Sequence, residues 1–506
     1  MSDKIIHSFQ QRRQLEQAIA DFAQTQNEAE VIAAARQIVH TYPADLVLTL
    51  LLKHLDTQDS QVRGGLGHLA ALLPQDETAT ALRSYVANRQ RSPQARVTAA
   101  LLAERFLQME VPAALMSDLH NSDEVVFQSL REALDEGKRN RRVLLEYVTQ
   151  MQAHGEEIAF MVLHLLERVP PADQVELLRL IAQDSRSRVA SAALIRLEAL
   201  TSGDASAAAM RALHTLHFTL PTALAAHAER TLRKLRFTGK RYAPPSAEPW
   251  RALLSPADTN GVQTVWLIKM PALGATDGVL FGFVLKLDQG ILNFFGSDQM
   301  DRSVLPGLQP VGQMVTVATD DGGTAILLEA PFDYGRWLVA TALVFHQNGE
   351  AQPLTGEYTL YNDLIWQFDA PHVDEAAKGF FQKAETPAPA LPAETLDAYA
   401  ANLLAHPALE GWQLQNLIKF PVTDGIPLPT DALVSIMLRE LEQWPEHTAL
   451  LDALESGLRA QAAWLHYAGE AENAQQAVTL AGQMRQLPLP KNPLLARMLA
   501  VGIGKN

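Results

Sequence analysis

Asp59-Ser60-Gln61-Val62-Arg63 and Asp184-Ser185-Arg186-Ser187-Arg188 each open an apolar helical stretch, and their spacing decides how the first half of the chain is read. Each begins with a short acidic side chain where a helix leaves its first amide groups without partners, the place an N-cap fills. Val62, Leu66 and Leu69 follow the first, and Val189, Ala193 and Ile195 the second. With Asp59 as register mark, equivalent starts fall at Glu28, Asp59, Ser92, Ser122, Gly155, Asp184 and Pro221, at intervals of 31, 33, 30, 33, 29 and 37 residues. Ser92 and Ser122 supply further caps. The intervening segments are also apolar, as in Leu46, Leu48, Leu50 and Leu51, or Val175, Leu177, Leu178, Leu180 and Ile181. Neither helix of such a pair buries its apolar face alone, so the period predicts stacked helix pairs sharing one core.

The Asp-x-x-Val-Arg pattern at Asp59–Arg63 resembles the second-helix motif of the HEAT-repeat (armadillo-like) family. Asp184–Arg188 and Ser92–Arg96 match it in part, whereas Ser122, Gly155 and Pro221 keep the spacing and lose the arginine. The resemblance covers roughly residues 5–238. It implies an α-solenoid in which Arg63, Arg96 and Arg188 either line a concave partner-binding face or form a ladder between repeats. The ladder is the preferred reading.

At 506 residues the chain exceeds one ordinary core. It has no cysteine, which excludes disulfides, thiolate ligands and cysteine nucleophiles. No segment approaches the roughly 18 apolar residues of a membrane span, and a polar start leads to the expectation of a cytoplasmic protein without a membrane partner. The net charge of −15 is uneven: residues 1–243 hold 28 Lys+Arg and 28 Asp+Glu, residues 244–506 hold 14 and 29, and 244–375 alone hold 5 and 16. All seven tryptophans lie beyond residue 249. The chain is therefore read as multidomain: an all-α HEAT-like solenoid over 1–240, an acidic α+β domain over 250–372 and a helical C-terminal domain over 393–502. The linkers are 241–249 and 373–392, the latter containing Pro387, Pro389 and Pro392.

Two basic clusters interrupt the neutral half. One is Lys138, Arg139, Arg141 and Arg142; the other is Arg230, Arg233, Lys234, Arg236, Lys240 and Arg241. They suit phosphate contacts, a solvated loop and cations at a helix C-terminus, or docking to the acidic domain. A lack of aromatic neighbours is taken to count against single-strand binding.

In the middle region, Thr264–Met270, Gly278–Leu287, Ile291–Phe295, Val315–Thr319 and Thr324–Leu328 read as strands of a mostly antiparallel sheet. Asp288-Gln289-Gly290 and Asp320-Asp321-Gly322-Gly323 are hairpin turns, and Pro331–Asn348 is a helix with Gly349 after its end. The carboxylate pairs Asp298/Asp301 and Asp320/Asp321 lack calcium-loop spacing, so turn chemistry outweighs metal binding or acid/base work. The aromatic run Tyr358, Tyr361, Trp366 and Phe368 is read as packing. Later helices are expected at Ala393–Ala405, Trp412–Ile418, Asp431–Glu442, Leu458–Tyr467 and Ala471–Met484. The last two resemble a tetratricopeptide-type hairpin over about 458–488, with Ala474, Ala477 and Ala481 at the contact.

No Walker, His-Glu-x-x-His or Gly-x-Ser-x-Gly pattern is present. Gly65-Leu66-Gly67-His68-Leu69-Ala70 mimics a dinucleotide fingerprint but lies inside a repeat helix with no strand before it. His214, His217 and His227 lack a carboxylate set at metal spacing. The resulting expectation is a non-catalytic scaffold or adaptor that binds a protein partner and uses no cofactor. The alternatives are a nucleic-acid-binding protein using 138–142 and 230–241, and an enzyme or cofactor-handling protein resembling the bilin-lyase-like HEAT proteins.

Overall fold

The computed structural model describes the chain except residues 1, 26–27, 58, 89, 110, 112–121, 272–275, 319–322, 383–390, 413, 415–428 and 505–506. The side chains of 2–10, 28, 60, 93–94, 122–125 and 504 are likewise outside the description. Two compact units emerge, residues 1–177 and 178–506. The boundary falls inside a helix and coincides with neither expected linker.

Unit 1 is helical: α1 (Ser2–Ala20), α2 (Glu28–Thr41), α3 (Ala44–Lys53), α4 (Ser60–Leu72), α5 (Gln75–Ala87), α6 (Pro93–Leu107), α7 (Ser122–Gly137), α8 (Arg142–Gln152), α9 (Glu156–Leu165) and the first part of α10 (Pro171–Ile181). Unit 2 opens with α11 (Ser187–Leu200), α12 (Ser206–Thr219) and α13 (Thr222–Phe237). All seven register marks fall at or within three residues of a helix start: α2, α4, α6, α7, α9, α11 and α13. One further helix separates successive starts, except between α6 and α7, where residues 112–121 intervene.

The caps explain the fit. The Asp59 carboxylate accepts from the amides of Gln61 (2.8 Å) and Val62 (3.1 Å), and Ser92 Oγ from that of Ala95 (3.1 Å). Asp184 differs. It accepts from the Arg186 amide and guanidinium at 2.8 and 2.9 Å, and the helix begins three residues later, with Arg186 at its cap position. Val62, Leu66, Leu69, Val189 and Ala193 are buried as their spacing requires, but Ile195 is exposed. It lies six residues after Val189, which turns it away from the buried face. Gly65 and Gly67 sit within α4, where the rings of Phe22 and Phe106 occupy the space their missing side chains leave. The fingerprint-like glycines are packing positions.

The sheet of unit 2 is antiparallel throughout, in order β4-β3-β2-β1-β6-β5. Its strands are β1 (Trp250–Leu254), β2 (Val262–Lys269), β3 (Asp277–Lys286), β4 (Gly290–Asp301), β5 (Met314–Ala318) and β6 (Thr324–Ala330). Gly290 (φ +108°) closes the first expected hairpin, and the next amide, Ile291 N–H, donates to His346 Nε2 at 2.8 Å. Most of the second hairpin turn, residues 320–322, lies outside the described residues.

One sheet face is covered by α14 (Phe332–Gln347) and α15 (Gly356–Trp366). Gly335 lets α14 approach Ala252, Val265 and Leu267 closely. Phe281, Phe283, Phe294, Tyr358 and Tyr361 interlock between sheet and α15 at ring separations of 5.0–6.2 Å. The expected aromatic closure at 358–368 is therefore a helix plus Phe368, with its rings buried.

The remaining helices are α16 (Glu375–Gly379), α17 (Ala393–Leu404), α18 (Thr430–Gln443), α19 (His447–Tyr467), α20 (Ala471–Gln483) and α21 (Pro493–Gly504). The helix expected at Trp412–Ile418 falls almost wholly outside the described residues. α19 docks on the sheet: Trp464 Nε1 donates to the Leu254 carbonyl (3.0 Å), and Gln461 Oε1 accepts from the Ala257 amide (3.1 Å). Ala474, Ala477 and Ala481 are buried where α20 packs on α19.

Candidate interaction surface

The basic residues singled out in the sequence divide into buried ties and surface cations. Arg63 is 9% exposed; it donates to the Thr57 carbonyl at 2.9 Å and pairs with Glu132 at 3.1 Å. Arg96, 2% exposed, donates from Nε to the Val86 carbonyl at 2.6 Å. Both guanidinium groups are turned inward. Arg188 is exposed on α11 and has interactions of its own.

In the first cluster, Lys138 lies between Asp173 (3.2 Å) and Asp135 (3.3 Å), and the hydrogen bond to Asp173 leads in raising its pKa. Arg141 pairs with Glu176 at 2.7 Å. Arg142 is exposed and engaged, and Arg139 is exposed. Much of this cluster is thus neutralised by its own unit.

The second cluster is organised by α13. Arg230, Arg233, Lys234 and Phe237 follow at i, i+3, i+4 and i+7, one face of the helix, and all four are exposed. Arg233 bonds Glu229 at 2.7 Å one turn back, and Lys234 reaches Glu198 at 3.6 Å. Lys240 Nζ donates to the Thr201 carbonyl at 2.9 Å. The guanidinium groups of Arg230, Arg236 and Arg241 have no hydrogen-bond or ion-pair partner among the described residues. Cations at the last turn suit the helix dipole, which accounts for part of the cluster. It does not account for Phe237, which is 86% exposed. This ring overturns the supposition that no aromatic residue accompanies the cluster; the signal for it is the run Leu235-Arg236-Phe237 itself.

Docking to the acidic segment falls to other residues of unit 2. Arg179, 1% exposed, donates to the carbonyls of Thr359 and Leu360 (both 2.8 Å) and to Asn362 Oδ1 (2.7 Å), and lies 3.8 Å from Asp363. Arg211 meets Asp363 at 2.9 Å. His214 Nε2 donates to the Phe368 carbonyl at 2.7 Å, and burial leads in lowering its pKa. This ring is a tie between α12 and the chain after α15.

A half-open cleft of about 450 Å³ borders β1 and the start of α14, with Trp250, Arg251, Val311, Phe332, Asp333 and His372 among its walls. Asp333 is committed to Arg336 at 3.1 Å and to the His372 amide at 3.2 Å. Beside the cleft, Glu329 is 1% exposed, its Oε1 has no hydrogen-bond partner, and burial raises its pKa despite a bond from the Gln309 backbone and Arg251 at 4.0 Å. Asp301 accepts from the Ser303 amide and hydroxyl, as a turn residue does. Among the described residues no group of three or more histidine and carboxylate side chains is placed to hold a metal ion, and no helix is long and apolar enough to cross a membrane.

Comparison with protein-family models, with curated proteins and with solved structures finds no match to this chain.

Proposed function

We propose that the protein is a non-catalytic adaptor that binds a protein partner, and that the exposed face of α13 is the contact surface. The observation that carries this reading is Phe237, 86% exposed on the same face of α13 as Arg230, Arg233 and Lys234. An exposed apolar ring on a cationic helix face matches the anchor-and-rim pattern of protein interfaces, where aromatic and arginine side chains supply most of the binding energy. Burying that ring contributes on the order of 2 kcal/mol. The partner is an acidic surface with an apolar notch. Arg230 on this face, and Arg236 and Arg241 of the same cluster, are not consumed by Glu198 or Glu229, so the cluster keeps positive charge in a chain of net charge −15.

The arginines first considered for a concave face, Arg63 and Arg96, contribute little to such a surface because their guanidinium groups are bonded internally. A second reading, nucleic acid, is favoured by the same ring, since an aromatic beside arginines is a base-stacking platform. A photo-crosslinking residue at Phe237 separates the two. The adaptor reading expects a stoichiometric protein joined through an acidic segment, with capture lost in Arg233→Glu/Lys234→Glu. Recovery of nucleic acid instead, or capture indifferent to the charge reversal, would falsify it.

A further inference from the structure

The two edges of the sheet are built differently. β4 carries the usual protections against pairing with another strand: register shifts between Gly278 and Leu280 and between Val284 and Leu285, Gly296 at φ +140°, and the charges of Asp298 and Asp301. β5, Met314-Val315-Thr316-Val317-Ala318, has none of these within its length. It is regular, uncharged and β-branched, and Met314, Thr316 and Ala318 are exposed.

Its hydrogen bonds define which groups are free. Gly312, at φ +94°, donates its amide to the Glu329 carbonyl (2.8 Å), and the Glu329 amide donates to the Gln313 carbonyl (2.9 Å). Two residues of one strand thus oppose one of the other, a glycine bulge that sets the phase of all of β5. Alternation then turns the amides and carbonyls of Val315 and Val317 toward β6, and those of Met314, Thr316 and Ala318 outward. No bond to Met314, Thr316 or Ala318 from beyond β6 exists among the described residues.

We infer that β5 is a self-pairing edge, and that its occupant is β5 of a second copy of this chain. The sequence is self-complementary in the antiparallel sense. With Thr316 on a two-fold axis, Thr316 pairs with Thr316 and each Met314 with the other copy's Ala318, so every outward amide and carbonyl of the strand finds a partner. On one face Val315 lies opposite Val317, a β-branched cross-strand pair, and no like charges meet. The join also extends the apolar sheet face opposite α14, where Val315 and Val317 pack with buried Leu253, Ile268, Leu280 and Leu327. An isologous contact of this kind closes as a dimer and does not propagate.

Sedimentation of the full chain at rising concentration tests the inference. A species of twice the monomer mass is expected, and higher salt should favour it because each copy carries −15. Thr316→Pro removes an outward amide and no bond to β6, so the fold persists and the dimer is lost. Thr316→Lys sets two ammonium groups at the axis and weakens dimerisation about tenfold or more. Tryptophan fluorescence and circular dichroism report whether each variant is folded; should the proline variant fail, the lysine variant decides. Since the chain has no cysteine, Thr316→Cys offers a single thiol. Its Cα separation across the axis of about 5.5 Å permits an interchain disulfide under oxidation. A monomer at every concentration overturns the proposal, even if the edge accepts another protein's strand. A dimer insensitive to both Thr316→Pro and Thr316→Lys overturns it equally.

Discussion

Replacing Arg179 by methionine removes a guanidinium that ties α10 and α15 together within unit 2, while retaining most of the side chain's apolar length. The wild-type group is 1% exposed and donates to Thr359 O, Leu360 O and Asn362 Oδ1 at 2.7–2.8 Å, with Asp363 at 3.8 Å. The losses are unequal. Thr359 and Leu360 lie in the interior of α15, so their carbonyls keep helical partners and lose only a second bond. Asn362 Oδ1 loses a charge-assisted donor in a buried setting, at about 1–3 kcal/mol. Asp363 keeps Arg211 at 2.9 Å and is thereby spared the full cost of an unpaired buried charge. The sum is about 3 kcal/mol, and Arg179→Ala adds a cavity to it. The chain provides its own reporter, because every tryptophan lies beyond residue 249 and thus in unit 2. Urea titration followed by tryptophan emission reads that unit's stability directly. A midpoint shift equivalent to less than about 1 kcal/mol would mean that the guanidinium is not the tie the geometry implies.

Three further outcomes rest on the same structure. Glu329→Gln relieves a buried carboxyl whose folded-state pKa is raised by burial. Such a group binds its proton more tightly when folded, so wild-type stability is lost as pH rises from below the ordinary carboxylate value through the raised folded one. The variant should match wild type in acid and exceed it as pH rises through the raised folded value; thermal melts across that range check this, and a pH-independent difference contradicts it. Gly65→Ala drives a methyl into the Phe22 ring and should destabilise unit 1 by about 2 kcal/mol against the small gain in helix propensity, as read by far-ultraviolet circular dichroism. Binding of an acidic partner at α13 should weaken steeply with added salt, whereas Phe237→Ala should lower affinity at every salt concentration, by about tenfold or more; equal salt slopes for wild type and Arg233→Glu/Lys234→Glu would refute a role for those cations.

Helix positions are legible in the sequence because their signals are local. A cap and the apolar residues at i+3, i+4 and i+7 lie within one or two turns, so Asp59 and Ser92 mark their helices to within a residue. The same signal slips at Asp184, whose carboxylate is captured by the Arg186 side chain. Four of the six strands, β2, β3, β5 and β6, are legible with ends in error by two residues at most, because alternation and hairpin turns are also local; the run Ile291–Phe295 is only the first part of β4. β1 escapes such a reading. Trp250-Arg251-Ala252-Leu253-Leu254 is a short buried run at the centre of the sheet, and its strand character comes from β2 and β6 on either side.

Composition and packing divide the chain at different places, and for a physical reason. Charge and tryptophan content change near residue 244, yet the compact units divide at 177, because residues 178–242 pack on and bond to the segment that follows them. Arg179, Arg211, His214 and Tyr242 each reach across more than 100 positions to the segment 359–368. Arg179, the fully buried cation among them, does not sit within a run of like charges, as burial demands: a cation held in a buried bond must be nearly alone, since neighbours of like charge would raise its cost of burial. Clusters such as Arg230–Arg241 therefore stay at the surface, where water screens them and a partner can meet them. Arg179 ties this fold together as an isolated arginine, whereas Arg230, Arg233 and Lys234, crowded on one helix face, lie exposed.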